Sequence, residues 1–136
     1  MKPITSPNAP AAIGPYSQAM MVNGIVFLSG QIPMNPRTGE LVTGDITKET
    51  EQVLSNLSEV LKAADCTLSN IVRTTIFLTN MSDFQAVNAA YEKAFGNHRP
   101  ARATVAVADL PRGARVEIDA IAVVGSWPAA PSPQTS

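Results

Sequence analysis

The stretch "TKETEQVLSNLSEVLKAADCTLSNIVRTTIFLT", Thr47–Thr79, decides the fold because it passes from a helical to an extended pattern. "IVRTTIFLT" (Ile71–Thr79) is short and dense in β-branched residues, which predicts a strand. The first half predicts a helix from Thr47 to about Asp65, since its apolar residues recur at the spacing of one helix face: Val53, Leu54, Leu57, Val60, Leu61 and Ala64. A strand before this helix and another after it suggest a parallel pairing of the two strands.

Upstream of this stretch, the sequence predicts a β-hairpin. "YSQAMMV" (Tyr16–Val22) and "IVFLSG" (Ile25–Gly30) flank an Asn-Gly pair, the strongest short signal for a tight hairpin turn. Prolines at positions 3, 7 and 10 predict an extended arm before it, with regular structure beginning near Tyr16. Glycine and proline turn sites predict an irregular surface crossing from Gln31 to Asp45.

Downstream, the sequence predicts a second helix and two further strands. "SDFQ" (Ser82–Gln85) has the spacing of a capping box, and Gly96 is a plausible left-handed stop for the helix between them. Its apolar stripe comprises Phe84, Val87, Tyr91 and Phe95. The two strands lie near 102–107 and 115–124, separated by the turn residues of "ADLPRGA".

The order of elements is therefore β, β, α, β, α, β, β. It predicts an α+β sandwich with one mixed sheet and two helices on one face, in a single domain over 1–125. The other face of this apolar sheet is left without cover from its own chain, so an oligomer is expected. "SWPAAPSPQTS" (126–136) has no apolar period and reads as a flexible, proline-rich tail.

Composition excludes several classes of function. Ten Lys and Arg against eleven Asp and Glu provide no electrostatic footprint for nucleic acid or anionic lipid. One Cys and one His cannot build a thiolate cluster or a zinc site, so no metal and no cofactor are expected. No leader-like or membrane-length apolar segment is present in the sequence, which favours a cytoplasmic protein.

Arg102 and Glu117 are charged residues within strand-forming segments, so each needs a partner, a ligand or water. A guanidinium grips a carboxylate through two parallel hydrogen bonds, although structural ion pairs outnumber binding sites. Glu117 alternates with Val116 and Ile118 and so is expected to share a strand face with Arg115 and Asp119. The ordinary explanation for such a residue is a solvated strand face.

A hairpin of the last two strands would relate these two charges. Arg102 and Glu117 would then share a face only if the register pairs even-numbered with odd-numbered residues. A register centred near Leu110 would separate them by roughly 6 to 10 Å at about 3.3 Å per residue. That gap suits a small ligand better than a direct salt bridge.

Four other residues are weaker candidates. Asn88 interrupts the apolar stripe of the second helix, so its amide either braces backbone or points at a ligand. Tyr16 follows the Gly-Pro turn at 14–15, where either an aromatic lid or core packing is plausible. His98 is expected to be solvent-exposed and Cys66 to be a half-buried small hydrophobe.

Four segments together resemble one protein family: "APAAIGPYSQA" (Ala9–Ala19), "FLSGQIPMNPRTGEL" (Phe27–Leu41), "IVRTTIFLTNMSDFQAVNAAYEKAF" (Ile71–Phe95) and "PARATVAVADLPRGARVEIDAIAV" (Pro100–Val123). They are similar to the RidA (YjgF) family of reactive-intermediate imine deaminases. The most specific element is "PAR", followed by the glutamate of "VEI".

The resemblance implies a chorismate-mutase-like fold and a homotrimer whose sheets pack inward, with ligand clefts between subunits. It implies hydrolysis of 2-aminoacrylate, 2-aminocrotonate and their imine tautomers to 2-oxo acids and ammonia, without a cofactor. A larger substrate such as 2-aminomuconate is a variant of the same chemistry.

The resemblance also implies roles for individual residues. Arg102 would clamp the substrate carboxylate and Glu117 would hold and polarise the attacking water. Tyr16 would close the cleft, Gly30 would bring bare backbone against the ligand and Asn88 would support the wall. Many relatives carry a cysteine at the position of Thr104, so thiol-based regulation is not expected here.

Two other functions compete with imine hydrolysis. A non-catalytic, chaperone-like trimer could bind 2-oxo acids in the same clefts, although Glu117 favours catalysis. A ribonuclease or translation inhibitor is disfavoured by the balanced charge, the single histidine and an aromatic content of 5%.

Overall fold

The computed structural model describes residues 1–125 and confirms an α+β fold with one mixed sheet and two helices. The 18-residue helix α1 and the 12-residue helix α2 follow the apolar stripes that predicted them. The elements are β1 (Lys2–Ile4), β2 (Ala19–Val22), β3 (Ile25–Gln31), α1 (Ile46–Ala63), β4 (Ile71–Leu78), α2 (Phe84–Phe95), β5 (Ala101–Ala106) and β6 (Val116–Val123).

The strand order is β1-β2-β3-β6-β4-β5, with β6 inserted between β3 and β4. The parallel pair is β4 with β5, joined through α2, and every other pair is antiparallel. The predicted pairing of the two strands that flank α1 is therefore wrong, because β6 separates them. A hairpin of the last two strands is wrong for the same kind of reason, since β4 lies between β5 and β6.

The hairpin at Asn23-Gly24 is confirmed, with φ of 49° and 77° at these two residues, as a primed turn requires. Its first strand begins at Ala19 rather than at Tyr16. The predicted arm contains a strand of its own, since β1 pairs with β2 and Pro3 stands opposite Met20. An edge strand tolerates this proline because the missing donor is not needed on its free side.

α1 begins close to where the sequence predicts, whereas the start of α2 differs from the prediction. Asp45 caps α1, where its carboxylate accepts from the backbone N–H of Thr47 at 2.9 Å. The capping box predicted at Ser82–Gln85 is wrong, because a 3-10 turn at Met81–Asp83 precedes α2 and Asn80 caps that turn instead. Gly96 ends α2 with φ of 62°, as predicted.

The two helices cover one face of the sheet and leave the other open. Residues of β6 alternate between buried and half-buried, which separates a core face from the open face. On the open face Phe27 stands opposite Ile121 and is 45% exposed. The expectation of a flexible tail concerns 126–136, which lie outside the described residues. Neither helix within 1–125 has the length and apolarity needed to cross a membrane.

Candidate active site

Glu117 lies on β6 with its side chain on the open face of the sheet, opposite Phe77 of β4. The backbone of Gly30 passes directly beneath its carboxylate. A Cβ built on Gly30 would stand 2.8 Å from Cδ of Glu117 and closer still to Oε2. Gly30 therefore allows the carboxylate to take this position, because a Cβ there would force the Glu117 side chain to turn aside.

Burial raises the pKa of the Glu117 carboxyl above that of an ordinary glutamate, and the negative charge of Asp119 raises it further. Asp119 stands two residues along β6 on the same face. A carboxyl with a raised pKa is a stronger base once it is ionised. The environment of Glu117 therefore suits proton transfer to or from water rather than a structural ion pair.

The carboxylate opens into a cavity of about 580 Å³. The N-terminal arm forms one wall, where Tyr16 is 54% exposed, which excludes the core-packing role for this residue. Other lining residues include Ile13, Gly30, Ile32, Met34, Pro111 and Arg112. The cavity therefore combines apolar surface with neutral polar side chains, one acid and one guanidinium.

Buried Gln18 holds the arm in place. Its side-chain oxygen accepts from the backbone N–H of Ser6 at 2.5 Å, and its nitrogen donates to the carbonyl of Pro10 at 2.7 Å and to that of Ser6 at 3.2 Å. These bonds tie the arm at Ser6 and Pro10 to a residue two positions after Tyr16.

Arg102 lies on β5, on the face that the helices cover. Its Nη1 donates to Oδ1 of Asn88 at 2.7 Å, and its guanidinium carbon lies 5.0 Å from the ring centroid of Tyr91 and 5.9 Å from that of Phe84. Among residues 1–125 it has no carboxylate within 4.0 Å. The structural ion pair that spacing alone favoured is therefore not present in this part of the chain.

Asn88 was expected either to brace backbone or to point at a ligand, and the structure of residues 1–125 shows neither of these contacts. It is half-buried, and the partner of its amide oxygen is the Arg102 side chain rather than backbone. It therefore fixes the orientation of one guanidinium nitrogen and leaves the rest of the fork free.

Arg102 and Glu117 lie on opposite faces of the sheet within one chain. Arg102 stands opposite Thr74 of β4, whose hydroxyl bonds to the hydroxyl of Tyr91 beneath the helices at 2.7 Å. Glu117 stands opposite Phe77, an odd number of residues along the same strand, and so points away from the helices. The separation of roughly 6 to 10 Å on a shared face is therefore wrong.

Three further expectations need correction. Arg115 does not share the open face with Glu117, since its Nε donates to Oε1 of buried Glu49 on α1 at 3.2 Å. His98 is half-buried, and its Nε2 bonds to the carbonyl of Ile71 at 2.6 Å. Cys66 is buried, and this burial raises the pKa of its thiol.

The described residues reveal two features that sequence reasoning missed. Arg112 lines the same cavity as Glu117, and its only local signal is a place in the "PRG" turn. The hydroxyl of Thr104 is buried and has no hydrogen-bond partner within 1–125. In the same range, no group of three or more His, Cys, Asp or Glu side chains is arranged to hold a metal ion.

Comparisons with known proteins agree with this fold. The model of the family "Endoribonuclease L-PSP" matches residues 6–124. The Mus musculus 2-iminobutanoate/2-iminopropanoate deaminase is 52% identical over 126 residues, which are 93% of each chain. YyfA of Yersinia pestis, from the conserved Rid protein family, is 53% identical with a TM-score of 0.89, covering 90% of this chain and 98% of that one. The crystal structure of E. coli TdcF with bound serine is 38% identical with a TM-score of 0.88, covering 92% and 100%.

Proposed function

The chain belongs to the Endoribonuclease L-PSP family, which includes the RidA proteins, and we propose that it hydrolyses 2-imino and 2-enamine acids. The substrates are 2-aminoacrylate, 2-aminocrotonate and their imine tautomers, and the products are 2-oxo acids and ammonia. The observation that carries this proposal is Arg102, whose guanidinium is oriented by Asn88 and lacks an acid partner among residues 1–125.

The reaction needs only water as its second reactant. The water oxygen adds to the imine carbon of R–C(=NH)–COO⁻ and gives a carbinolamine. Transfer of a proton to the nitrogen and breakage of the C–N bond then release ammonia and leave R–C(=O)–COO⁻. The protein must therefore hold the carboxylate, position the water and move protons.

The residues divide these tasks. Arg102 binds the substrate carboxylate through its free N–H groups, in the two-point geometry that a guanidinium provides. Glu117 accepts the proton of the attacking water and returns it to the leaving nitrogen, a role that its raised pKa favours. Gly30 and Tyr16 shape the cavity around the reacting carbon, and Asn88 keeps Arg102 in place. The serine bound to TdcF supports a ligand of this class, since it carries the same carboxylate.

We further propose a homotrimer of chorismate-mutase-like architecture, with the open sheet faces packed inward around a barrel-like centre. The half-exposed Phe27 on that face favours burial against another copy. β5, which carries Arg102, is an edge strand. A cleft between copies would join the Arg102 of one chain to the Glu117 cavity of the next, which resolves their placement on opposite faces.

The name of the family does not make a ribonuclease of this chain. A small-molecule substrate fits better than nucleic acid, because the net charge is −1 and the single histidine is engaged with the carbonyl of Ile71. The single cysteine is buried, in keeping with a cytoplasmic protein.

The experiment that tests this function generates 2-iminobutanoate from threonine with a threonine dehydratase. The formation of 2-oxobutanoate is followed with wild-type protein, with the Glu117→Gln variant and without either. We expect wild-type protein to accelerate the appearance of the 2-oxo acid well beyond both controls. An unchanged rate would contradict hydrolysis and favour the alternative, a 2-oxo-acid-binding or chaperone-like trimer.

A further inference from the structure

The cavity beside Glu117 is larger than the smallest substrates require. At the roughly 30 Å³ that liquid water gives each heavy atom, 2-iminobutanoate occupies on the order of 200 Å³. The cavity measures about 580 Å³. Within one chain, the cavity therefore has more room than 2-iminobutanoate fills.

Arg112 is a cation on the wall of that extra space. Arg112 is exposed, and its Nη2 donates one hydrogen bond to the carbonyl of Gly39 at 3.3 Å. Within 1–125 no carboxylate lies within 4.0 Å of it. The remaining N–H groups of this guanidinium are therefore free to bind an anion.

The backbone holds Arg112 in an unusual conformation. Its φ of 61° places it in the left-handed region, which a non-glycine residue seldom adopts and where such residues cluster at functional sites. The following Gly113 also has a positive φ, so the turn displays the arginine side chain at the cavity wall. Pro111 beside it and Ile13 on the arm provide apolar surface for methylene groups.

Arg112 and Glu117 line the cavity from different elements, Arg112 from the 3-10 turn before β6 and Glu117 from β6 itself. Burial and Asp119 raise the pKa of Glu117, and no guanidinium among the described residues lowers it. A cation that held the carboxylate next to the imine carbon would stand near Glu117 and would lower that pKa. Its place in the turn, together with the absence of this effect, supports Arg112 as the partner of a group several bonds from the imine.

Resting on the proposed function, we infer that Arg112 binds the distal carboxylate of 2-imino dicarboxylic acids, so that imines of acidic amino acids are substrates of the same site. Arg102 holds the carboxylate beside the imine, Glu117 handles the water, and Arg112 recognises the far end. The hydrolytic step is the same for these substrates, with water added and ammonia released.

The test compares two imines of equal chain length, 2-iminoglutarate and 2-iminopentanoate, generated in place from glutamate and norvaline by L-amino-acid oxidases with catalase. The measured quantity is the ratio of their kcat/KM values. We expect Arg112→Gln to lower this ratio about tenfold, as the loss of a charge-assisted hydrogen bond implies, and Arg112→Lys to lower it less. Arg37→Gln is the matched control, since Arg37 is exposed, carries the same charge and does not line the cavity.

A ratio that is unchanged in Arg112→Gln, or that falls equally in Arg37→Gln, overturns the inference. An equal fall of kcat/KM for both imines overturns the inference as well, because Arg112 would then contact a group that both substrates share. The ratio of the dissociation constants of 2-oxoglutarate and 2-oxopentanoate, measured by calorimetry, gives the corresponding comparison without turnover. Absence of hydrolysis with an Arg112-dependent binding ratio rejects the proposed function but keeps the distal carboxylate on Arg112. Hydrolysis of both imines without that ratio keeps the proposed function and rejects the role of Arg112.

Discussion

At the scale of single residues, the guanidinium of Arg102 is held by the Asn88 amide and by the rings of Phe84 and Tyr91, with no carboxylate beside it among residues 1–125. Arg102→Lys keeps the charge but loses the planar fork. We expect kcat/KM for 2-iminobutanoate to fall roughly ten- to a hundredfold, as loss of one charge-assisted hydrogen bond of about 1 to 3 kcal/mol implies. The thermal midpoint should change far less, because the described residues show no ion pair to break. Wild-type activity in this variant would make Arg102 a structural residue.

Glu117 is the second decisive residue, and Glu117→Gln keeps its shape while removing its charge and proton transfer. We expect kcat on 2-iminobutanoate to fall at least about a hundredfold, in the range that a positioned acid–base group contributes. Binding of 2-oxobutanoate, measured by calorimetry, should persist. Full turnover in this variant would assign the handling of water to another group.

Glu117→Gln should also change how the free energy of unfolding depends on pH. Because the pKa of Glu117 is raised in the folded chain, the native state keeps this proton to higher pH than the unfolded chain does. The stability it contributes is fully present below the ordinary glutamate pKa and is lost as the pH rises through the raised pKa. Denaturant unfolding across this window should show a flatter pH dependence for Glu117→Gln and no loss of stability at neutral pH. A steeper dependence would contradict the raised pKa.

Gly30 tests the contact between backbone and carboxylate. In Gly30→Ala the new methyl group would meet the Glu117 carboxylate, which is the end of a flexible side chain and can turn aside. We expect a stability change within about 1 kcal/mol but a large loss of kcat. Gly39→Ala is an informative contrast, since a Cβ there meets nothing but its φ of 74° is strained, so stability should suffer more than activity.

At the scale of elements, Gln18 fixes the part of the N-terminal arm that follows β1 and has no regular structure of its own. Gln18→Leu would leave the backbone groups of Ser6 and Pro10 without partners, at a cost of about 1 to 3 kcal/mol in unfolding free energy. The KM should rise because Tyr16 and Ile13 would no longer be held over the cavity. Gln85→Leu makes the same exchange at an exposed site on α2, and its cost should stay within about 0.5 kcal/mol. Equal effects of the two substitutions would refute the anchoring role.

At the scale of the whole molecule, opposite faces for Arg102 and Glu117 require a site shared between copies. Co-expressed Arg102→Ala and Glu117→Gln chains should regain activity that neither has alone. In randomly mixed trimers about a quarter of the clefts would receive one intact residue of each kind. The same variants expressed separately and combined without subunit exchange are the control. No recovery, or a species of only 14.3 kDa by sedimentation, would contradict the shared site.

Local sequence patterns predicted both helices and every strand except β1. The turn at Asn23-Gly24, the apolar stripes of α1 and α2 and the stop at Gly96 are local features, because backbone conformation and helical period act over a few neighbouring residues. The capping box failed at this same scale, since Asn80 offered a competing cap upstream. The resemblance also selected Arg102, Glu117, Tyr16, Gly30 and Asn88 as candidates, whose roles stay predictions.

Which strands are neighbours could be found only from the folded chain. The pairing of a strand depends on burial and ladder partners far away in the chain, and no local pattern records that β6 lies between β3 and β4. That insertion places Glu117 over Gly30 and brings Arg112 to the cavity, whereas the pairing of β5 with β4 puts Arg102 on the other face. The chemical type of each side chain is known from the sequence. Which side chains lie together depends on a strand order that non-local packing alone selects.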